Sequence, residues 1–457
     1  MLSRSFSPLE RRATFSIALL YGVRMLGLFM VLPVLALAAT EYRGYTVLLL
    51  GATLGVYGLT QAVLQIPLSL LSDRVGRRPV IIAGLSIFIA GSLVAAYSDS
   101  LVGLFLGRAL QGMGAIAGTL MAMVTDFTEE KNRSTAMAVI GGTIGVSFMV
   151  AMTIGPPVVG LFGLSGIFFL SALLGVLGIT IVVLLLPTKH LMMENWETKS
   201  DTAVMLGLLK DPNLMRLNAS IFVLHFVLMA SFVVVPSLFV NELHIPAGQH
   251  GWFYLALLGG GFIVMLPILV LIEKREQHKR GVLGAILCMA LSMASLSFLP
   301  WGVWLTPLVL LFFFAAFNLL EASLPAWMSK VCSAGCKGSA MGIYSTSQFL
   351  GTFFGGFFGG ICAANVGVQG VFILIAMTLC FWLVLAMGLK APRPLRTYVL
   401  HRGDISHQEF GKRLLNIVGV EDILALEGEA LVYARVDCQI INLTTIEPYF
   451  NRVTTGE

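Results

Sequence analysis

Residues 46–78 read TVLLLGATLGVYGLTQAVLQIPLSLLSDRVGRR. The first 27 of these residues contain no Asp, Glu, Lys or Arg, and about 20 apolar residues are enough for a helix to cross the hydrocarbon core of a membrane. The six residues that follow, DRVGRR, carry four charges. Because the apolar part does not alternate with polar residues as a barrel strand does, we predict a membrane-spanning helix that ends in a charged loop.

The same apolar pattern repeats along the chain on both sides of this stretch. Hydrophobic residues make up 57% of the 457 positions and charged residues 12%, against about one quarter charged in soluble domains. A water-soluble fold is therefore excluded. We predict twelve spanning helices, called spans 1 to 12, at residues 13–38, 46–71, 79–97, 101–124, 134–161, 164–187, 214–240, 251–273, 281–299, 303–328, 338–363 and 368–389.

The positive charges predict which side each loop faces. On this map, 21 of the 29 Lys and Arg residues fall on one side of the membrane, counting Arg216 at the very start of span 7, and only Arg43 falls on the other. Short loops rich in Lys and Arg remain in the cytoplasm. We therefore expect a multi-pass protein of the cell inner (plasma) membrane with both termini in the cytoplasm, and the net charge of +5 does not indicate nucleic-acid binding.

The chain also repeats itself internally. RSTAM at residues 133–137 parallels KGSAM at residues 337–341, and Pro33 in span 1 parallels Pro236 in span 7. This duplication predicts an all-α membrane fold of two pseudo-symmetric six-helix bundles. The expected domains are an N-terminal bundle at 1–187, a cytoplasmic linker at 188–213, a C-terminal bundle at 214–390 and a soluble tail at 391–457.

Several polar side chains fall inside the apolar spans. A charge at the centre of a bilayer costs at least about 2.5–3.5 kcal/mol on insertion scales, so such residues usually face a wet cavity or a partner. Repeated helical membrane proteins are characteristically secondary transporters with a substrate site at the interface of the repeats. We predict one central cavity, and the alternative is that the arginines only bond backbone carbonyls of neighbouring helices. The expected substrate contacts are Arg24, Gln111, Asn318 and Glu321.

Proton coupling needs a group that gains and loses a proton inside the membrane. Glu321 is the only carboxylate well inside the predicted spans, and an arginine that approaches and leaves it would drive this exchange. We predict Glu321 as the principal proton carrier, and the alternative is a permanently protonated structural glutamate. The other candidates for proton coupling are Arg108, Asp126 and His225.

The charged loop after span 2 is the predicted gate. Arg77 is expected to pair with Asp126 at the end of span 4, and Asp73 to meet the N-terminus of span 11, where free amides favour an anion. We expect these contacts only when the cytoplasmic side is closed. Gly76 is expected to form the tight turn between the helices. The predicted gating residues are Asp73, Arg74, Gly76, Arg77, Arg78 and Asp126.

Spans 4 and 5 carry two further features. Helical spacing in span 4 predicts one polar face that carries Arg108, Gln111, Thr119 and Asp126. Pro156 and Pro157 in span 5 are expected to kink that helix, because proline removes a backbone hydrogen bond.

Three of these segments resemble signatures of the major facilitator superfamily. The stretch 69–78 resembles the family's loop signature, with Ser69 where glycine is usual, and RALQG at 108–112 resembles a second signature associated with proton coupling. GPPVVG at 155–160 resembles the antiporter signature, although Val159 replaces one of its glycines. The resemblance implies the fold of this superfamily and drug–proton antiport by alternating access. It assigns the antiporter motif to Gly155, Pro156 and Gly160.

The tail after Pro392 has the composition of a small globular domain. Its pattern predicts strands at 396–401, 423–427 and 430–436, with helices at 405–418 and 444–449. We expect an α+β, ferredoxin-like fold similar to heavy-metal-associated modules, but without their Cys-x-x-Cys ligand pair. A protein contact or a regulatory role for this tail is a hypothesis.

The function predicted from these features is secondary active transport. We expect proton-coupled efflux of an unidentified small molecule, with protons and the lipid bilayer as the other partners. The alternatives are a proton symporter or uptake carrier, and a transporter-like membrane sensor that acts through its tail. We expect no enzyme activity, cofactor or metal site, because no catalytic or metal-binding arrangement of residues appears in the sequence.

Overall fold

The computed structural model describes residues 6–128, 130–187, 207–332, 337–391, 395–401, 407–425 and 431–437. The predicted linker residues 188–206 and the predicted helix 444–449 lie outside these ranges. The helices are α1 Pro8–Phe29, α2 Leu32–Ala38, α3 Val47–Val75, α4 Arg77–Ala96, α5 Leu101–Met113, α6 Ala117–Phe127, α7 Glu130–Leu184, α8 Pro212–Asn241, α9 His250–Lys274, α10 His278–Phe298, α11 Leu305–Val331, α12 Lys337–Met387 and α13 His407–Leu415.

Span 1 is longer than predicted and is divided in two. Its helix starts at Pro8 because Ser7 and Glu10 form a capping box, in which each side chain accepts a hydrogen bond from the other residue's backbone N–H. Helix α1 then ends at Phe29. Pro33 accounts for the break, since it has no N–H and its ring conflicts with the carbonyl four residues earlier.

Span 4 is also divided, which corrects the predicted continuous polar face. Helix α5 ends at Met113 and α6 begins at Ala117. A side chain at Gly114 would collide with the carbonyl oxygen of Gly84 in α4, so only glycine permits this close approach. Arg108 therefore lies on one helix, and Asp126 lies on another.

The described residues contain ten apolar helical segments long enough to cross a membrane. Two of these segments, in α7 and α12, are 50 residues long and hold two helices each. The paired helices join at Gly163 (φ 68°) and Gly367 (φ 80°), a backbone conformation that favours glycine. In α7 the described backbone leaves helical geometry at Gly163, between predicted spans 5 and 6, and Pro156 and Pro157 lie inside the helix, where the kink expected of them stays a prediction.

The two halves of the chain touch at one end of the bundle. We call this the Tyr42 end, after the loop of residues 42–46, and the opposite end the Gly76 end. At the Tyr42 end, a side chain at Gly51 of α3 would collide with the backbone of Gly356 in α12. On the far side of the bundle, Gly251 of α9 packs in the same way against Thr153 of α7.

The halves part toward the Gly76 end. One hydrophobic core joins the Tyr42 end of the N-terminal half to most of the C-terminal half, whereas a second core holds the Gly76 end of the N-terminal half. Glycines near the Gly76 end have nothing within 4 Å of the position a Cβ would take: Gly141, Gly142, Gly145, Gly338 and Gly342. The described structure is therefore open between its halves toward the Gly76 end.

The described part of the tail contains a three-stranded antiparallel sheet. Strands β1 Leu395–His401, β2 Val420–Ala425 and β3 Leu431–Asp437 are ordered β1-β3-β2. Helix α13, which is shorter than the predicted helix 405–418, contributes Phe410 and Leu414 to a core shared with the sheet.

Candidate functional site

An ion-pair cluster occupies the loop between α3 and α4. The Arg77 side chain is only 7% exposed, and its Nε donates a hydrogen bond to Asp126 Oδ2 at 3.0 Å. Its Nη1 donates to Ser72 Oγ at 2.7 Å and also pairs with the Asp73 carboxylate. Gly76 (φ 102°) makes the turn that brings the start of α4 back to these groups.

The Arg77–Asp126 pair was expected only in a state closed at the cytoplasmic side, and the structure shows the pair in a different state. Arg77 and Asp126 are paired although the Gly76 end is open, and both residues belong to the N-terminal half. The prediction that this pair forms only on closure is therefore wrong. The described partner of Asp73 is Arg77, and the position that a Cβ of Gly338 would take has nothing within 4 Å. The contact expected between Asp73 and the first turn of α12 stays a prediction.

The two remaining arginines of the loop lie apart from this cluster. Arg78 donates a hydrogen bond to the carbonyl oxygen of Leu186 near the end of α7, and Arg74 is exposed. The Arg78 contact holds α4 against the end of α7, and the Arg77–Asp126 pair holds α4 against α6.

Charge reversal tests the Arg77 pair. We expect Arg77→Asp and Asp126→Arg each to lower transport at least tenfold, because breaking a buried ion pair costs about 3–5 kcal/mol. The double variant restores the opposite charges and should recover part of the activity. Transport is measured in proteoliposomes at equal protein content, with the exposed Arg11→Asp as control. A double variant no better than either single variant contradicts a direct pair.

A second polar cluster lies inside the N-terminal half. Arg24 of α1 is 2% exposed, and its Nη2 donates to Tyr57 Oη at 3.0 Å, Gln61 Oε1 at 2.9 Å and the Gly114 carbonyl oxygen at 3.1 Å. That carbonyl is available because the break between α5 and α6 removes its partner in the helix. Arg24 thus bonds a neighbouring backbone carbonyl, the alternative that the sequence left open.

Arg108 completes this cluster from α5. Its Nη1 donates to Gln111 Oε1 at 2.9 Å, and its guanidinium carbon lies 5.0 Å from the centre of the Tyr57 ring. Gln111 Nε2 in turn donates to Ser92 Oγ at 2.7 Å. Tyr57 therefore contacts both buried arginines, one through its hydroxyl group and the other through its ring.

A third cluster lies in the C-terminal half. Gln348 Nε2 of α12 is 2.8 Å from His225 Nε2 of α8 and 3.5 Å from Glu321 Oε1 of α11. His225 Nε2 also lies 3.8 Å from Glu321 Oε2. The Glu321 side chain is 39% exposed and the His225 side chain 13%. Asn318 is half-buried one turn before Glu321 on the same helix.

The hydrogen bonds assign a tautomer to His225. Its Nδ1 lies 3.3 Å from the Ile221 carbonyl oxygen, which can only accept a hydrogen bond. Nδ1 therefore carries the proton in this arrangement, and Nε2 accepts from the Gln348 amide.

The predicted single cavity is corrected by this arrangement. Arg24, Arg108 and Gln111 are at most 2% exposed, and their described hydrogen-bond partners all lie in the N-terminal half. The described partners of Glu321 lie in the C-terminal half. In this state the structure has two separate polar clusters, one in each half.

Three polar residues of these clusters were missed by the sequence reasoning. Tyr57 and Gln61 lie one turn apart on the buried face of α3, and Gln348 lies on α12. The i, i+4 spacing of Tyr57 and Gln61 was the available signal. Neutral polar residues in an apolar span are harder to identify from the sequence than charged residues, although they supply most of the hydrogen bonds in these clusters.

The residues predicted to form the antiporter motif pack at the Tyr42 end. A Cβ on Gly155 would lie 2.7 Å from the Met30 carbonyl oxygen, at the break between α1 and α2. Pro157 is 3.3 Å from the Cβ position of Gly251 in α9. Pro156 lies between these two contacts, and Gly160 has nothing within 4 Å of its Cβ position. The motif thus joins the two halves where they touch.

Comparisons with known proteins agree with this architecture. The sequence matches the Major Facilitator Superfamily over residues 17–356. It is 39% identical over 447 residues to the inner membrane transport protein YajR of Escherichia coli (strain K12), covering 96% of this chain and 97% of that protein. It is 24% identical over 338 residues to the multidrug resistance protein MdtH of Aeromonas salmonicida (strain A449), covering 72% and 81% of the two chains.

A solved structure shares the fold. The human organic anion transporter MFSD10 (TETRAN) matches with a TM-score of 0.61 and 18% sequence identity, over 83% of this chain and 100% of that one. The residues that resembled the superfamily's signatures lie within the matched range 17–356. This chain therefore belongs to the major facilitator superfamily and is a multi-pass membrane transporter, not an enzyme.

Proposed function

We propose that this chain is a proton-coupled antiporter that exports a small molecule by alternating access. The observation that carries the proposal is the one-ended contact between the halves. They meet through backbone contacts at the Tyr42 end and part toward the Gly76 end, which is the geometry of one of two alternating states. Export is supported by the likeness to a protein named for multidrug resistance.

The C-terminal cluster supports proton coupling. Glu321 and His225 are both ionisable, lie 3.8 Å apart inside the apolar bundle, and are linked through Gln348. The Glu321 side chain is partly exposed in this state, although its Oε2 atom is buried and has no hydrogen-bond partner among the described residues. In a state that excludes water, its charge would need a partner or a proton, which couples protonation to the motion.

We propose twelve membrane crossings, with both joined helix pairs counted as two crossings each. The Gly76 end is then cytoplasmic, both termini lie in the cytoplasm, and the membrane is the inner membrane named for the E. coli relative. The proposed domains keep the predicted bounds of 1–187, 188–213, 214–390 and 391–457.

Cysteine labelling tests this topology. Single cysteines at positions 43 and 245, in an otherwise cysteine-free chain, should react with a membrane-impermeant maleimide added from outside the cell. A cysteine at position 76 should react only after the membrane is opened. Labelling of positions 43 and 245 only from the cytoplasmic side contradicts the proposed orientation.

The tail is proposed to be a ferredoxin-like domain that contacts another protein or regulates the transporter. The support is the β1-β3-β2 order of its antiparallel strands and the packing of α13 on the sheet. Isolated expression of residues 391–457 tests whether it folds on its own.

Flux measurements test the proposed function as a whole. Purified protein is reconstituted in proteoliposomes, a pH gradient is imposed, and a panel of labelled drugs and metabolites is screened. We expect at least one compound to move against its gradient when protons move in the opposite direction. Substrate movement that dissipates its own gradient and ignores the pH gradient contradicts proton coupling.

A further inference from the structure

Inside its predicted spans, the N-terminal half holds two buried positive charges and no acid, and its buried acid, Glu10, precedes span 1. Between residues 11 and 187, every Asp and Glu lies outside the predicted spans: Glu41, Asp73, Asp99, Asp126, Glu129 and Glu130. Arg24 and Arg108 are the only charged residues inside those spans. Guanidinium groups keep their charge at all physiological pH values. The membrane interior of this half therefore carries two unneutralised positive charges.

The hydrogen bonds around these arginines show an excess of donors. Among the described residues of the N-terminal half, four buried nitrogen atoms have no hydrogen-bond partner, Arg24 Nε, Arg24 Nη1, Arg108 Nε and Gln61 Nε2, against one such amide oxygen, Gln65 Oε1, and two hydroxyl groups, of Thr14 and Thr119. All four carry N–H groups and can only donate. A buried donor without an acceptor is destabilising, and more so when it is charged. A group that brings several acceptor oxygens and a negative charge would satisfy these donors.

Glu321 does not provide the missing charge. Its described partners are Gln348 and His225 in the other half. If it moved across to one arginine in another state, one carboxylate would still face two guanidinium groups. The remaining charge calls for an anion from outside the chain.

Part of the cluster lies on α3, the helix that packs against α12 of the other half. Phe349 of α12 packs against the hydrophobic core that contains Tyr57, and its backbone touches α3 at Gly58. Tyr57 and Gln61 also belong to α3. Separation of α12 from α3 therefore uncovers the face that carries the ligands of Arg24.

We infer that Arg24 and Arg108 bind the anionic group of the transported substrate, which is an organic acid with a carboxylate, phosphate or sulfonate group. The inference rests on the proposed transport function and names its substrate class. An Arg fork matches such groups with two parallel N–H···O bonds. Tyr57 would contribute its hydroxyl group to the same anion, and its ring would hold Arg108 in place.

Two matched probes with permanent and opposite charge test the inference. Benzenesulfonate and phenyltrimethylammonium carry the same ring, and neither changes its charge with pH. Binding to the full-length protein in detergent is measured by titration calorimetry and by the shift in melting temperature. We expect benzenesulfonate to bind and phenyltrimethylammonium not to bind. Sodium chloride at equal ionic strength should leave the melting temperature unchanged.

Substitutions assign the binding to the cluster. Arg24→Gln and Arg108→Gln should each weaken benzenesulfonate binding at least about 30-fold, since removing one partner of a buried charge pair costs 2 kcal/mol or more. Arg43→Gln, an exposed arginine at the Tyr42 end, is the matched control and should bind as before. If Arg24→Gln fails to fold, Arg24→Lys keeps the charge, loses the fork, and should bind more weakly than the wild type.

The outcomes separate this inference from the proposed function. Binding of the cation alone, sulfonate binding that survives both glutamine variants, or an equal effect of chloride each overturns the anion site. Binding in detergent needs no pH gradient. Sulfonate binding without gradient-driven flux therefore rejects proton coupling and leaves the anion site standing. Gradient-driven flux of phenyltrimethylammonium alone supports proton coupling and rejects the anion site.

Discussion

Glu321→Gln is expected to abolish transport driven by a pH gradient while sparing exchange of substrate across the membrane. Glutamine has the size of glutamate and keeps a hydrogen-bonding oxygen for the Gln348 amide, which lies 3.5 Å from Glu321 Oε1. It cannot gain or lose a proton. The halves should therefore still alternate, but their motion should no longer depend on proton binding.

The measurement compares two assays on the same proteoliposomes. Counterflow at equal pH on both sides reports binding and exchange, and uphill flux under a pH gradient reports coupling. Uphill flux should fall at least tenfold, whereas counterflow should change less than twofold. Glu242→Gln, an exposed acid at the end of α8, is the control and should retain both activities. Undiminished uphill flux in Glu321→Gln removes this residue from the proton path, and His225 becomes the next residue to test.

Gly55→Leu is expected to lower transport at least tenfold by preventing closure at the Tyr42 end. A Cβ at Gly55 would lie 2.6 Å from the Phe353 carbonyl oxygen of α12, and a backbone atom cannot turn aside as a side chain does. Forcing larger groups into a packed contact costs about 1–3 kcal/mol. That cost changes the ratio of the two states by about tenfold to a hundredfold, so the protein should shift toward the state that is open at the Tyr42 end.

Labelling detects this shift directly. A cysteine at position 43 in the Gly55→Leu background should remain reactive, and one at Leu50, which is buried in the core shared by the two halves, should become reactive from the Tyr42 end. Gly284→Leu is the control, because Gly284 of α10 has open space around its Cβ position. Normal transport by Gly55→Leu contradicts a tight closed contact between α3 and α12.

The features that were predictable from the sequence are those that depend on local residues. The charged loop after span 2 indicated the turn at Gly76, and an Arg77 to Asp126 pair was expected from their positions at neighbouring helix ends. The junctions between the paired helices of α7 and α12 also lie close to the predicted boundaries between spans 5 and 6 and between spans 11 and 12. The glycines at these junctions, at 163 and 367, end long apolar stretches. These features depend on residues near one another in the chain.

The features that were not predictable depend on how distant segments pack. The break of span 4 at Gly114 is set by the contact of Gly114 with Gly84 in α4. The hydropathy of the sequence does not indicate this contact. The separation of Arg24 from Glu321 follows from the state of the two halves. Because every contact within a half is compatible with both states, the sequence could not indicate that Arg77 pairs with Asp126 while the Gly76 end is open.

The most direct test of proton-controlled alternating access is a pair of distance measurements as a function of pH. Spin labels at positions 141 and 338 report the Gly76 end, and labels at 43 and 248 report the Tyr42 end, since all four positions are exposed. Double electron–electron resonance gives both distance distributions in lipid nanodiscs between pH 5 and 9. The account predicts that one distance shortens as the other lengthens, and that Glu321→Gln removes this dependence on pH. Distances that stay constant, that change in the same direction, or that keep their pH dependence in Glu321→Gln contradict it.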